Sequence, residues 1–459
     1  MKNGKNTQVT CSLSRSWVVG VVLVFALFTL YAGLQAMMSP NTVYVQPAYL
    51  PAVTQKTTAT TPRVRLQARP LQTVMHHVAS TTNPPVSKKR LPISRKGPAI
   101  RQVVFAKVHK AASSTMQNIF LRFALARNLS VLLPKKRPHL GERGSRLRRD
   151  ELVPHPQGKQ FYDILCNHLI FDEQQVSKFF LKTAVRVAIV REPLKQSLSA
   201  LKYYTTTYPS HALKNGFSKH KDDPINGYLQ NPQDFYSMSS GPSYSFINNR
   251  MSVDLGFDLH HFEESKKDQK KIRAFLEQVE SQFDMVLVSD YFDESLVLMR
   301  RTLRWSLKDI IYLKVNVAKR KRNEAPAWQN TPILNSTITR RFREWDEIDY
   351  QLYAHFLNIF WETVAREPSF KEEVDAFREI QQDVTHFCVY NKKAKKLRIP
   401  KSNWTDSFTV FRNSCRLMSM KEPRFIDKMR RRQIKQYEAY SIAKSYNATG
   451  DRKQNQKKQ

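Results

Sequence analysis

The 459-residue sequence predicts an α/β fold: a central, mostly parallel sheet covered by helices, preceded by one transmembrane helix and a disordered stem. Three observations carry this. Short apolar runs recur, each followed by apolar residues at helical spacing, the pattern of alternating strands and helices. A run of 22 residues without a charge, Trp17 to Met38, lies near the N-terminus. Between that run and the first strand, Pro and Thr are abundant and acidic residues are absent.

Taken in order, residues 1–16 read as a cytosolic tail and 17–38 as a transmembrane signal anchor. A hydrocarbon core needs about 20 apolar residues as helix. A cleaved signal peptide has an apolar core of about 7–15 residues, and no small-x-small cleavage site follows this run. Lys2, Lys5 and Arg15 precede the span and place the tail in the cytosol. The expected topology is therefore single-pass type II, with everything downstream luminal. Residues 39–98 read as a luminal stem, with 9 of the 23 prolines and no acid. Proline keeps such a stretch extended and coreless.

Lys and Arg number 75 against 39 Asp and Glu, a net charge of +36. The first acid is Glu142, and 20 Lys and Arg precede it. So basic a chain meets polyanions or anionic small molecules. A luminal domain excludes nucleic acid. Four cysteines exclude a disulfide-dense miniprotein, and no CxxC pair suggests structural zinc. Cys388 and Cys415, both luminal, are the expected disulfide, and the redox state of Cys166 stays open. Asn128, Asn335, Asn403 and Asn447 open N-x-[ST] triplets and are candidate glycosylation sites.

Residues 99–425 hold the folded domain. Val103–Ala106 reads as a buried strand, with a turn of small residues and a helix carrying Met116, Ile119, Phe120 and Phe123 after it. Arg186–Val190 repeats the pattern, stopped by Arg191-Glu192-Pro193, with a helix through Tyr204. Met285–Val288 is a third strand, followed by an acid-rich helix start. Residues 205–245 read as a loop or lid, and 338–382 as largely helical. Residues 426–459 read as a basic extension ending in a solvated tail.

Strand, small hydroxyl-rich turn and helix start together make an anion cradle: backbone N–H groups point outward and the helix dipole favours negative charge. Lys110 adds a cation, and Ser113, Ser114 and Thr115 add hydroxyls. G-x-x-x-x-G-K-[ST] is absent, so this is not a Walker A loop. An ordinary Ser/Thr-capped helix would leave the same pattern.

The segment KVHKAASSTMQNIFLRF resembles the 5′-phosphosulfate loop of Golgi carbohydrate sulfotransferases, above all the galactose 3-O-sulfotransferase family. Cys166-Asn167-His168, Val190-Arg191-Glu192-Pro193 with Ser199, and Tyr291–Leu298 are similar to further family segments in the same order. Val108 and Ala111 stand where the family often has Thr, and Glu192 where Asp is usual. The resemblance implies a P-loop-NTPase-like sulfotransferase fold and 3′-phosphoadenosine 5′-phosphosulfate (PAPS) as donor, with no metal required. It implies that Lys110 meets the donor's bridging oxygen. Ala111, Ser113, Ser114 and Thr115 would surround the 5′-phosphosulfate, and Arg191 and Ser199 would hold the 3′-phosphate. His168 falls at a catalytic histidine.

The implied enzyme is a PAPS-dependent, galactosylceramide sulfotransferase-like protein of the Golgi membrane. It would act on O-3 of terminal galactose in a glycolipid or glycoprotein. Another sugar or a glycosaminoglycan stays open as acceptor, as do a non-catalytic glycan-binding role and a homodimer. Each residue also has a structural reading. His168 and His109 could be hydrogen-bonded core histidines, and Arg191 a strand-end ion-pair partner. Lys107 is expected to face solvent, Tyr203 and Tyr204 to pack on a helix surface, and the basic runs at 319–322 and 430–432 to be solvated.

Overall fold

The computed structural model describes residues 97–136, 140–141, 146–207, 209–314 and 332–456, with side chains up to Tyr446. The candidate anchor (17–38), most of the stem and the run at 319–322 lie outside the described residues. No helix among the described residues is long and apolar enough to cross a membrane. All described residues belong to one compact unit, Pro85–Gln459.

Four parallel strands form the centre: β1 (Val103–Phe105), β2 (Ile164–Leu165), β3 (Val185–Val190) and β4 (Met285–Val288), in the order β2-β1-β3-β4. Val103 is opposite both Ile164 and Val185, and Val187 is opposite Met285. The strands are buried almost throughout, as a sheet covered on both faces requires. Parallel neighbours need crossover connections, which helices supply.

The main helices are α1 (Ser113–Ala126), α2 (Pro193–Thr207), α3 (His211–Lys219), α4 (Pro224–Gln230), α5 (Arg250–Asp254), α6 (Gln269–Gln282), α7 (Phe292–Leu303), α8 (Ser336–Trp345), α9 (Glu347–Ala365) and α10 (Phe370–Thr385). An antiparallel hairpin follows, β5 (Lys396–Ile399) with β6 (Phe408–Phe411). Then come α11 (Arg412–Met418) and the long α12 (Glu422–Gln456). Cys388, just after α10, and Cys415 on α11 form a disulfide that brackets the hairpin. Cys166 is free and buried.

Three expectations need correction. Residues 205–245 are not a loop: α3, α4 and short turns enclose a second core in which Leu213, Ile225, Tyr228 and Phe235 pack on Ile338 and Phe342 of α8. A Cβ at Gly216 would meet the Phe235 ring at 2.5 Å, so only glycine permits that approach. The boundary drawn at 425–426 falls inside α12, whose Phe425, Ile426 and Met429 are buried in the main core. The 430–432 run is only partly solvated. Arg430 donates to the Pro134 carbonyl at 2.9 Å and Arg432 to the Leu129 carbonyl at 2.6 Å, while Arg431 is exposed.

Of the sequons, Asn128, Asn335 and Asn403 are exposed. Asn128 accepts from Gln436 at 2.7 Å, and Asn335 caps α8 through the Ile338 N–H at 2.8 Å. The Asn447 side chain lies outside the described residues.

Candidate active site

In an open parallel sheet, ligands bind beyond the carboxyl ends of the strands, where the strand order reverses. Here the chain runs from β1 to β2 on one side and then to β3 on the other, so the reversal lies between β1 and β3. Lys110 follows β1, His168 follows β2, Arg191 follows β3 and Asp290 follows β4. The topology thus gathers residues scattered over 180 positions along one edge.

The turn after β1 is strained. Lys110 (φ 61°) and Ala112 (φ 58°) are both left-handed, in positions that glycine usually fills. Ala111 between them is fully buried. Alternating backbone hands turn successive N–H groups toward one side, the geometry of an anion nest. The first-turn N–H groups of α1 lie beside it. Ser113 and Thr115 are buried, and Ser114 is half-buried.

Arg191 donates to the Lys110 carbonyl at 2.8 Å, joining the ends of β1 and β3. The Lys110 ammonium sits 3.9 Å from the centre of the Tyr203 ring. Burial, then repulsion from Arg191, lowers its pKa from 10.5 to about 8. Burial also lowers that of Arg191, partly offset by Asp290 and Glu192. Two crowded cations in a strained N–H turn form a site that an anion relieves. Glu192 is explained structurally. Its carboxylate accepts the Leu194 and Lys195 N–H groups at 3.2 and 2.8 Å, capping α2. Ser199 is half-buried on α2, four residues from both Lys195 and Tyr203 and so on their face.

His168 is buried, and its Nδ1 is 2.9 Å from the Lys107 carbonyl. A carbonyl only accepts, so Nδ1 carries the proton, and in the neutral ring Nε2 carries the lone pair. The His109 ring stacks on it, centroids 3.8 Å apart and planes 11° off parallel. His109 Nδ1 lies 3.0 and 2.8 Å from the two carboxylate oxygens of Asp254 on α5, and its backbone N–H donates to that carboxylate at 2.7 Å. Arg250 completes the cluster at 2.7 Å from Asp254. Burial alone would raise the Asp254 pKa, but Arg250 and His109 outweigh it and hold the carboxyl below its ordinary value. Asp254 and Arg250 were not found from the sequence. A buried i,i+4 Arg–Asp pair on a five-residue helix leaves no periodic signal.

Lys107 does not face solvent. It is buried, 2.5 Å from Glu422 and 2.9 Å from Gln117, and Gln117 donates to Asn167 at 2.8 Å. Tyr204 is buried and stacks on Phe246 at 3.8 Å, and Phe246 lies 4.9 Å from the His109 ring. Phe246 is also one wall of a cavity of about 570 Å³, lined among others by Ser210, Asp234, Tyr236, Ser240 and Tyr244. Burial pushes the Cys166 thiol pKa far up, so that thiol is inert. Among the described residues no group of three or more His, Cys, Asp or Glu is placed to hold a metal ion.

A parallel α/β sheet with an anion-ready turn and an oriented histidine at its switch point defines a class: enzymes that move an anionic group to an acceptor. The galactose-3-O-sulfotransferase family profile matches residues 17–403, and the chain belongs to that family. It is 33% identical over 306 residues to mouse galactose-3-O-sulfotransferase 2, covering 65% of this chain and 73% of the relative. Against the pig protein of the same name identity is 34% over 315 residues, covering 68% and 73%. Mouse galactosylceramide sulfotransferase is 31% identical over 292 residues, covering 63% and 64%. The chain is a sulfotransferase of this type.

Proposed function

We propose that the protein transfers a sulfuryl group from PAPS to O-3 of a terminal galactose on a glycolipid or glycoprotein. The observation that carries this is the meeting of Lys110, Arg191, the strained turn and His168 at one sheet edge, in a chain of this family. The residues fit the donor: clustered cations, first-turn N–H groups and hydroxyls suit its phosphates and sulfate. The donor supplies an activated sulfur bonded to a phosphate oxygen. Lys110 and the turn neutralise charge that grows on that oxygen. Arg191 and Ser199 hold the 3′-phosphate. The galactose hydroxyl oxygen bonds to sulfur while the sulfur–phosphate oxygen bond breaks. The hydroxyl proton passes to His168 Nε2, and 3′-phosphoadenosine 5′-phosphate (PAP) departs. Asp254 orients His109 beneath the His168 ring.

The acceptor's sugars enter by the 570 Å³ cavity. Its hydroxyls and carboxylate suit sugar hydroxyls, and its aromatic rings suit the apolar face of galactose. The protein is a single-pass type II Golgi membrane protein, anchored by 17–38 and spaced by 39–98, with its catalytic domain in the lumen. The Cys388–Cys415 disulfide fits an oxidising compartment.

The test is transfer from labelled PAPS by the full-length, detergent-solubilised chain. Acceptors are simple β-galactosides, galactosylceramide, lactosylceramide and desulfated glycosaminoglycans. The expected result is 3-O-sulfated galactose, with kcat down about 10²–10⁴-fold in His168→Ala and about 10²–10³-fold in Lys110→Ala. Transfer to a glycosaminoglycan alone would overturn the acceptor assignment. A folded sample that shows no transfer and no PAP-induced rise in melting temperature would overturn the enzyme reading.

A further inference from the structure

The donor turn and His168 are both tied to a helix that lies beyond the family-matched residues 17–403. Glu422, the first residue of α12, is where the ties meet. One of its oxygens is 2.5 Å from the Lys107 ammonium, and the other accepts from the Ser114 hydroxyl at 3.2 Å. From Lys107 the connection reaches His168 twice. The Lys107 backbone carbonyl takes the Nδ1 proton of His168 at 2.9 Å. The Lys107 side chain also bonds Gln117, which bonds Asn167, the residue before His168. Asn118, beside Gln117 on α1, donates to the carbonyls of Leu417 and Met420 at 2.9 and 3.4 Å, fixing the approach to Glu422.

We infer that Glu422 is a positioning residue of the active centre, holding the donor turn and the general base in register from the C-terminal helix. This rests on the proposed reaction. A buried ammonium needs a partner. Of the two side chains that grip Lys107, only Glu422 carries the opposite charge, and it is the one that arrives from the C-terminal helix. Without it, Lys107 would turn toward solvent or toward the donor's anions. The carbonyl that orients His168 belongs to the same residue. Ser114 would lose its acceptor in the same change. Glu422 touches neither donor nor acceptor sugar in this reading. Its removal should therefore lower turnover while leaving acceptor binding alone.

The test compares Glu422→Gln, Glu422→Ala and the exposed Arg431→Ala on the same helix, all in the full-length chain, well below each variant's melting temperature. Glu422→Gln keeps an oxygen for Lys107 but removes the charge and offers Ser114 a donor in place of an acceptor. Displacing reacting groups by around 1 Å can cost about 10²-fold. Glu422→Ala is expected to lose about 100-fold in kcat and Glu422→Gln about 10-fold, with acceptor KM unchanged, KM for PAPS raised, and Arg431→Ala unaltered. Partial rescue by glutamine keeps the result readable even where the alanine variant fails to fold. Wild-type kcat in Glu422→Gln would overturn the inference. So would a loss that Arg431→Ala shares, because that marks the helix and not the carboxylate. A wild-type chain that transfers nothing overturns the proposed reaction and this role with it. Active wild type with indifferent Glu422 variants overturns this role alone.

Discussion

At the scale of single residues, Lys110 carries a pH dependence with a definite sign. Its pKa is lowered to about 8, so in the free protein it loses its proton through that pH. A bound polyanion favours the ammonium, so donor binding above pH 8 must take up a proton. The dissociation constant of PAP is expected to be flat below about pH 7.5 and then to rise by up to about tenfold per unit above pH 8. Calorimetric titration from pH 6.5 to 9.5 reads this directly. Lys110→Arg keeps its charge throughout that range and should flatten the curve. A wild-type constant that does not change between pH 8 and 9.5 would sink the assignment of Lys110 to the donor. Residues of this kind were the legible part of the candidate site. Lysine beside a small-residue turn and arginine at a strand end announce their chemistry locally. Lys107 misled because strand alternation is a local rule. Its partner Glu422 lies 315 positions away, and only the packing of α12 on α1 brings that carboxylate to it.

At the scale of elements, β1, β3 and β4 could be read because a buried parallel strand is a run of apolar residues with a stop signal after it. β2 could not, since two residues leave no period, although His168 is aimed by it. The region at 205–245 misled for a different reason. Its helices are short, and its Ser, Tyr and Pro content looks like loop until the apolar residues are seen converging on α8. That mixture is what builds a cavity: the inner residues make a core, and the polar ones face the space about 570 Å³ in volume. Filling the space should act on the acceptor alone. Ser240→Trp is expected to raise KM for a β-galactoside about tenfold or more. The donor's KM and the PAP-induced rise in melting temperature should stay as they are, since the residues proposed for the donor come from other elements. Equal effects on both substrates would show that the cavity is not the acceptor's entrance. The same logic explains why α5 is clamped so firmly. Asp349 accepts the Met251 and Ser252 N–H groups at 2.9 and 2.7 Å, and Gly256 (φ 94°) turns the chain where a Cβ would meet the Phe171 carbonyl at 2.5 Å. Those restraints hold Asp254 against His109.

For the whole molecule, the acids that clamp α5 also shape stability against pH. Asp346 and Asp349 are fully buried near one another where α8 meets α9. Burial pushes Asp349 up to about 6, and burial with repulsion from Asp349 pushes Asp346 well above its ordinary value. The folded chain therefore binds a proton here that the unfolded chain, with carboxyls near the ordinary 3.8, has released. A raised folded pKa gives stability that is full below the unfolded value and is lost as pH rises through the folded one. This pair alone makes the domain weaker at pH 7.5 than at pH 5. Lys110 acts in a separate window. Its lowered pKa means the unfolded chain binds more protons between about 8 and 10.5, so its contribution rises with pH there. Asp254 acts only at the acid end, where its lowered pKa gives stability that is lost as pH falls below the ordinary carboxylate range. The melting temperature is therefore expected to fall from about pH 5 to pH 7 and to level or recover above pH 8. Asp346→Asn is the variant that isolates one member of the pair. Its remaining oxygen can still accept the Asn249 N–H, and its amide can donate to Ser197, whose hydroxyl now lies 3.3 Å from the carboxylate. The variant should melt higher than wild type at pH 7.5, and its melting temperature should fall less steeply between pH 5 and 7, the remaining slope coming from Asp349 as it titrates at about 6. A wild-type melting temperature that climbs steadily from pH 5 to 7, or an Asp346→Asn variant with the wild-type slope, would place the pH response in other groups.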